Sequence, residues 1–272
     1  LRLWAISDLH LASKINRAAL DDLPDYGADW IILGGDICET PRQLADALGA
    51  FAARFAKMIW VPGNHELWAM RRQGPRGVAK YMEMVGIARD HGALTPEDAY
   101  PIWPEDPNLI LCPLFLFYDY SFRPADLARD QVVAWAAEED SVCADERLLP
   151  PDPYPTREAW CEARLDTSAQ RLAQEVPKDA RTILINHYPL RRDLIYIPRI
   201  PRFAPWCGTI ATQDWHTRYN ASVVVSGHLH TRRTDWRDGV RFEEVSLGYP
   251  RQWRHERGMA AYLRQIWPPP AK

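Results

Sequence analysis

Five short apolar runs in this chain each end on a side chain able to bind a metal ion, and that recurrence limits what the chain can fold into. Residues 1–7 close on Asp8-Leu9-His10, residues 30–33 on Gly34-Gly35-Asp36, and residues 58–61 on Pro62-Gly63-Asn64-His65-Glu66. Residues 182–185 close on Asn186-His187, and residues 223–225 on Ser226-Gly227-His228-Leu229-His230. Short apolar runs bounded by turn residues read as buried strands. In α/β sheets ligands gather beyond the carboxyl ends of the strands, so five such ends predict one shared site.

The intervening segments fit that reading. Leu44, Ala47, Leu48, Phe51 and Phe55 recur at helical spacing behind Thr40-Pro41, a cap and first-turn pair, which predicts a helix over 42–55. Further helices are expected over 78–89 and 155–175, so the chain opens β-α-β-α-β-α. The run 109–118 is apolar and aromatic, and 241–245 alternates after Asp238-Gly239, which suggests an antiparallel strand near the end. Two stretches, 90–155 and 188–213, break the alternation. They are rich in Pro, Trp, Tyr and Arg, and loops of that length serve as lids or binding surfaces, or as an irregular cap on the sheet. A single domain over 1–267 is expected, with a tail at 268–272 beginning Pro268-Pro269-Pro270.

Charge and cysteine content narrow the function classes. Thirty-three Lys+Arg against 36 Asp+Glu leave a net charge of −3, so no broad positive field would draw the protein onto nucleic acid or an anionic membrane. No apolar run approaches the roughly 18–20 residues that span a bilayer. Cys38, Cys112, Cys143, Cys161 and Cys207 are odd in number and form no C-x-x-C pair, which predicts reduced thiols and a cytoplasmic location.

The ligand types specify the chemistry. Carboxylate oxygen and imidazole nitrogen without thiolate suit Mn²⁺, Fe²⁺ or Zn²⁺ at a reactive site and argue against a structural zinc. Two ions fit the number of ligands better than one. Ions in such pairs sit roughly 3.5–4 Å apart, so one carboxylate must bridge them, and Asp36 lies between the two clusters. Paired divalent ions lower the pKa of bound water toward about 7 and favour a phosphate ester, so the reaction class is metal-assisted phosphoester hydrolysis. His65 is not needed for coordination and is placed to stabilise a phosphoryl oxygen or protonate the departing one. Glu66 is expected to orient a neighbour, and Cys38 to pack in the core. His91, His216 and His255 are expected to be ordinary hydrogen-bonded or surface histidines.

Together the five motifs resemble the calcineurin-like metallophosphoesterases. The resemblance implies an α/β fold of four layers, αββα, with two mixed sheets between helices and a dinuclear site at the strand ends. It implies Asp8, His10, Asp36 and His230 around one ion and Asp36, Asn64, His187 and His228 around the other, with His65 assisting leaving-group departure. Blocks without a metal role, at 59–68, 118–122, 153–161, 206–209, 214–220 and 239–251, resemble the phosphopantetheinyl hydrolases of mycobacteria. That resemblance implies a phosphodiesterase acting on holo acyl carrier protein, freeing 4′-phosphopantetheine and the apo carrier. The substrate contacts it suggests are Tyr118, Tyr120, Arg191, Arg192, Trp206 and Arg218. The aromatic run 115–122 with Phe203 and Trp206 would line a groove for the arm, or simply pack in the core. Arg191, Arg192, Arg199 and Arg202 would form a docking face for an acidic carrier, or a solvated loop. A phosphatase or phosphodiesterase for another small phosphoester or nucleotide, and a metal-free scaffold on the same fold, are the competing readings. Oligomeric state is left open.

Overall fold

The computed structural model describes residues 1–70 and 73–270. Two sheets form its centre. The first holds β1 (Leu3–Ile6), β2 (Trp30–Leu33), β3 (Lys57–Trp60), β4 (Ala93–Leu94) and β11 (Arg264–Trp267), ordered β11-β1-β2-β3-β4. The second holds β5 (Ile102–Trp103), β6 (Asp106–Pro113), β7 (Arg181–Ile185), β8 (Ala221–Ser226), β9 (Thr234–Arg237) and β10 (Val240–Glu244), ordered β5-β6-β7-β8-β10-β9. Inner neighbours are parallel, while β11, β5 and β9 run antiparallel at the edges, so both sheets are mixed.

Strand periodicity sorts side chains into layers, because successive residues face opposite sides. Ala5, Ile32, Ile59 and Val61 of the first sheet meet Leu109, Leu111, Ile183, Ile185, Val223 and Val225 of the second. The alternate residues Ile6, Ile31, Leu33, Met58 and Trp60 face outward onto Leu44, Leu48 and Phe51 of one helix and Tyr81, Met84 and Val85 of another. On the far side, Cys112, Leu184, Val224 and Phe242 pack against Leu172 and Trp215. The four-layer αββα arrangement therefore follows from period-two strands that are apolar on both faces.

The helices, in order, are α1 (Lys14–Ala18), α2 (Pro41–Ala52), α3 (Asn64–Leu67), α4 (Gly77–Asp90), α5 (Val132–Ala137), α6 (Asp145–Leu148), α7 (Arg157–Glu175) and α8 (Trp215–Arg218). Thr40 caps α2 by accepting from the Gln43 N–H, a contact worth about 1 kcal/mol, with Pro41 in the first turn. Three expectations need adjustment. The 90–155 stretch is only partly an excursion, since it supplies β4 to one sheet and β5–β6 to the other. Strand β6 stops at Pro113, after which the Leu116 N–H donates to the Asn186 side chain rather than to a strand. The strand expected at 241–245 is antiparallel to β9 but parallel to β8. Of the expected tail, residues 268–270 leave β11 exposed to solvent, and 271–272 lie outside the described residues.

No helix among the described residues is long and apolar enough to cross a membrane. All five cysteines are free and buried, Cys38 among them. Burial pushes the Cys38 thiol well up, and nearby Glu66 adds to the effect, so it packs rather than reacts.

Candidate active site

The two sheets meet at their carboxyl ends. Beyond β1 and β10, Ser7 pairs with Ser246 in a parallel bridge: the Ser7 N–H donates to the Val245 carbonyl at 3.1 Å, and the Leu247 N–H to the Ser7 carbonyl at 2.9 Å. The loops after β1 and β2 are laddered too, Asp8 N–H to Gly35 at 2.9 Å and His10 N–H to Asp36 at 3.0 Å. Gly227 N–H donates to the His187 carbonyl at 2.8 Å, joining the loops after β7 and β8. All five predicted strand-end motifs thus converge on one rim.

The backbone is bent to present them. Asp8, His10, Asp36, His228 and His230 have φ of 54°, 45°, 53°, 71° and 55°, a left-handed region that side chains avoid. Such conformations persist only where surrounding contacts enforce them, and they cluster at functional sites. Glycine admits the close approaches: a Cβ on Gly63 would stand 2.1 Å from Asp36 Oδ1, and one on Gly227 would stand 2.4 Å from Asp8 Oδ2. Glu66 fastens the second and third loops together. Its carboxylate accepts from the N–H groups of Asp36 (2.9 Å), Ile37 (2.6 Å), Cys38 (3.2 Å) and Gly63 (2.8 Å), which is the orienting role expected for it.

The ligand side chains fall into two overlapping groups. Asp8, His10 and His230 offer atoms within 4.8 Å of one another, as do Asp36, His187 and His228, and Asp36 also reaches His10 and His65. His230 Nε2 lies 3.0 Å from Asp8 Oδ1 and 3.1 Å from His10 Nε2, while His187 Nε2 lies 3.5 Å from Asp36 Oδ2. Tautomers are set from behind. His187 Nδ1 donates to the Gly34 carbonyl at 2.9 Å and His230 Nδ1 to Gln252 Oε1 at 2.8 Å, so each Nε2 is the nitrogen turned inward, toward the carboxylates. Ser7 and Ser246 hydroxyls and the His228 N–H all donate to Asp8 Oδ2.

Unpartnered atoms test whether these residues suit metal ions. Asn64 Oδ1, His187 Nε2 and His228 Nε2 are buried without a hydrogen-bond partner. Buried polar atoms are rarely left so, and these three belong to the group expected around the second ion. The electrostatics agree. Burial would raise Asp36 and Asp8, yet His65 and His187 hold Asp36 well below the usual carboxylate range, and His230 and His187 do the same for Asp8. Burial and the neighbouring imidazoles push His10 down to about 4 and His228 to about 3. His187 rises despite burial, chiefly through Asp36. The two buried carboxylates thus stay charged and hold protons on His187, His230 and His65, positive charge that cations would supply in a loaded site.

Asp36, Asn64, His228 and His230 border a cleft of about 330 Å³. Its walls include His65, Trp68 and Asp145 on one side, Tyr249, Arg251 and Gln252 on another, and the apolar Val142, Ile197, Ile200, Phe203 and Leu229. Tyr249 stacks on His10, with ring centroids 4.2 Å apart. His65 sits at the cleft with Nδ1 3.4 Å from Glu39 Oε1, an ion-pair contact without hydrogen-bond alignment, and Nε2 3.7 Å from Asp36 Oδ2. Burial opposes its charging, but Asp36, Glu39 and Asp145 together raise its pKa.

Most of the suggested substrate contacts lie elsewhere. Tyr118, Tyr120 and Trp206 are buried in the core and do not line the cleft. Tyr120 Oη and Trp206 Nε1 both donate to Glu146, so the aromatic run packs inward, with only Phe203 of the groove residues reaching the cleft. Arg191 is engaged by Asp193, Asp238 and His216, and Arg202 by Glu138 and Glu139. Arg192 borders a separate hollow beside Tyr196, and Arg218, on α8, lies 5.3 Å from the Tyr219 ring centroid. Among the described residues Arg192 and Arg199 have no ion-pair partner, whereas Arg191 and Arg202 are each held by acidic side chains. The three histidines set aside as ordinary are hydrogen-bonded: His91 to Ile87, His216 to Asp238 and His255 to Pro250.

Sequence reasoning missed Glu39, Trp68, Asp145, Tyr249, Arg251 and Gln252. Glu39 and Trp68 stand three residues from Asp36 and His65 and could have been suspected from that proximity. Asp145 and Gln252 carry no local signal, because only folding brings them to the cleft.

Comparisons with known proteins give a consistent result. A family model described as Calcineurin-like phosphoesterase matches residues 1–232. The [Acyl-carrier-protein] phosphodiesterase PptH of Mycobacterium tuberculosis H37Rv is 46% identical over 98% of this chain and 84% of its own length. The crystal structure of Phosphopantetheinyl Hydrolase (PptH) from Mycobacterium tuberculosis superposes with a TM-score of 0.91 at 46% identity, covering 99% of this chain and 96% of that one.

Proposed function

The chain belongs to the calcineurin-like phosphoesterase family, and from that premise we propose that it hydrolyses the phosphodiester between 4′-phosphopantetheine and the serine of holo acyl carrier protein. The observation that carries the substrate assignment is the 46% identity with the acyl-carrier-protein phosphodiesterase, which extends over 98% of the chain and so far beyond the metal motifs.

Asp8, His10, Asp36 and His230 would hold one divalent ion and Asp36, Asn64, His187 and His228 the other, with Mn²⁺, Fe²⁺ and Zn²⁺ all compatible with this oxygen and nitrogen donor set. When bound, the ions supply positive charge for the phosphoryl oxygens and a water made acidic enough to attack near neutral pH. Gly34 and Gln252 keep the Nδ1 protons of His187 and His230 pointed away, so both rings approach as neutral donors of a lone pair. As water oxygen adds to phosphorus, the bond from phosphorus to the serine oxygen breaks, and that poor leaving group needs a proton. His65 would give it from Nε2, a role supported by Glu39 beside Nδ1, which favours the charged ring. The apolar wall of Val142, Ile197, Ile200 and Phe203 is suited to the uncharged length of a pantetheine arm.

The test is incubation with holo acyl carrier protein and manganese, followed by intact mass. Loss of the prosthetic group is expected. An unchanged holo mass beside robust hydrolysis of a different diester would overturn the substrate assignment. For His65, the Ala variant should keep both ions and lose turnover mainly on alkyl esters. Equal losses on aryl and alkyl esters would remove the proton-donor role.

A further inference from the structure

Asp145 is buried on α6, inside the long 90–155 stretch and 81 residues from Asn64, yet it touches the site. Its Oδ1 accepts from Asn64 Nδ2 at 3.0 Å and from Trp68 Nε1 at 2.7 Å. Trp68 in turn packs on the His65 ring with centroids 3.6 Å apart. We propose that Asp145 is a positioning residue that fixes which face of the Asn64 amide is turned to the metal ions and, through Trp68, holds the His65 ring in place. This rests on the two-ion reading of the cleft.

The argument is one of amide asymmetry. An Asn side chain carries a donor on one side and an acceptor on the other. Anchoring Nδ2 on Asp145 leaves Oδ1 as the atom facing away from it, and that oxygen is buried and unpartnered. Without the anchor the amide is free to turn half a revolution and offer N–H groups to a cation, which no cation accepts. The same carboxylate oxygen limits the Trp68 indole to one orientation, so one residue from a distant segment sets both a metal ligand and the ring proposed to protonate the leaving group. Neighbours that orient metal ligands in this way typically change metal affinity about 10- to 100-fold when removed.

Two substitutions separate orientation from charge. Asp145→Leu has similar size and no acceptor, while Asp145→Asn keeps one carbonyl oxygen able to accept both donors. Metal-free protein is titrated with Co²⁺ by absorption and calorimetry, and kcat and KM are measured on an alkyl phosphodiester, whose departing oxygen needs the proton. In Asp145→Leu one ion should weaken about 10- to 100-fold and the other by less than about threefold. Asp145→Asn should return the weakened ion to within about threefold of wild type. Equal weakening of both ions, no weakening, or an Asn variant as impaired as Leu would each overturn the proposal. Should Asp145→Leu fail to fold by circular dichroism, Asp145→Asn and Trp68→Phe decide. The Phe variant keeps the ring contact without the N–H and should lower kcat while leaving both ions in place; weakened ion binding there would count against the proposal. Metal titration needs no substrate, so it stands if the carrier-protein assignment fails, whereas a wild type that binds no Co²⁺ would sink the two-ion reading and this inference together.

Discussion

Replacing Glu66 by Gln tests whether a buried carboxylate away from the ions sets the shape of the site. Glu66 Oε1 accepts from the N–H groups of Ile37 and Cys38, and Oε2 from those of Asp36 and Gly63. Glutamine can keep only one of those oxygens and must turn an NH₂ toward the other pair of donors. Two charge-assisted bonds are then lost, at roughly 1.5–3 kcal/mol each, for an expected cost of about 3–6 kcal/mol. That is a large share of the roughly 5–15 kcal/mol by which domains are stable. Burial, assisted by Asp36, pushes the Glu66 carboxyl up to about 7, so urea unfolding of metal-free protein is best measured at about pH 8, where the acceptor form prevails. Metal analysis of the same variant should show weakened binding, because Asp36 moves with its loop. A metal-free protein destabilised by less than about 1 kcal/mol, with metal still lost, would refute the reasoning and indicate that Glu66 acts directly on an ion.

Two further expectations follow from particular contacts. Gly63→Ala places a Cβ 2.1 Å from Asp36 Oδ1 and should cost about 1–3 kcal/mol or more in thermal unfolding of metal-free protein. Gly86→Ala, in α4 with nothing within 4 Å, should instead stabilise by up to about 1 kcal/mol; equal effects would show that crowding at Asp36 is not the cause. Asp193 is held down to about 2 from 3.8 by its bonds with Arg191, helped by Arg237. A lowered carboxyl contributes stability above about pH 3.8 and loses it as pH falls toward about 2. Because Asp193 is 44% exposed, screening should keep the penalty of Asp193→Asn below about 1 kcal/mol at pH 7. The gap between urea midpoints should narrow at pH 3, and a gap that widened would reverse the assignment.

Local chemistry written in the sequence was legible where it repeats along the chain. Short unbroken apolar runs marked the strands, Thr40-Pro41 marked the start of α2, and the residues just past five strand ends were visible as ligands because a strand end and its loop are neighbours in sequence. Glu66 was readable as an orienting group for the same reason, although its four N–H partners were not. The aromatic run 115–122 reads either as groove lining or as core, since an apolar ring at a groove and one in a core look identical until the fold shows which side faces the cleft.

What the sequence determined by itself was the inventory: strands with apolar faces and a set of oxygen and nitrogen donors at their ends. Tertiary structure decided the convergence. The Ser7–Ser246 bridge joins the two sheets, bringing Asp8 from the first beside the His228 N–H of the second. It also decided the supporting contacts, Asp145 on Asn64 and Gln252 on His230, which link residues 81 and 22 positions apart. Hydrogen-bond partners across such distances are chosen by how the layers pack, and no local pattern of residues encodes that choice.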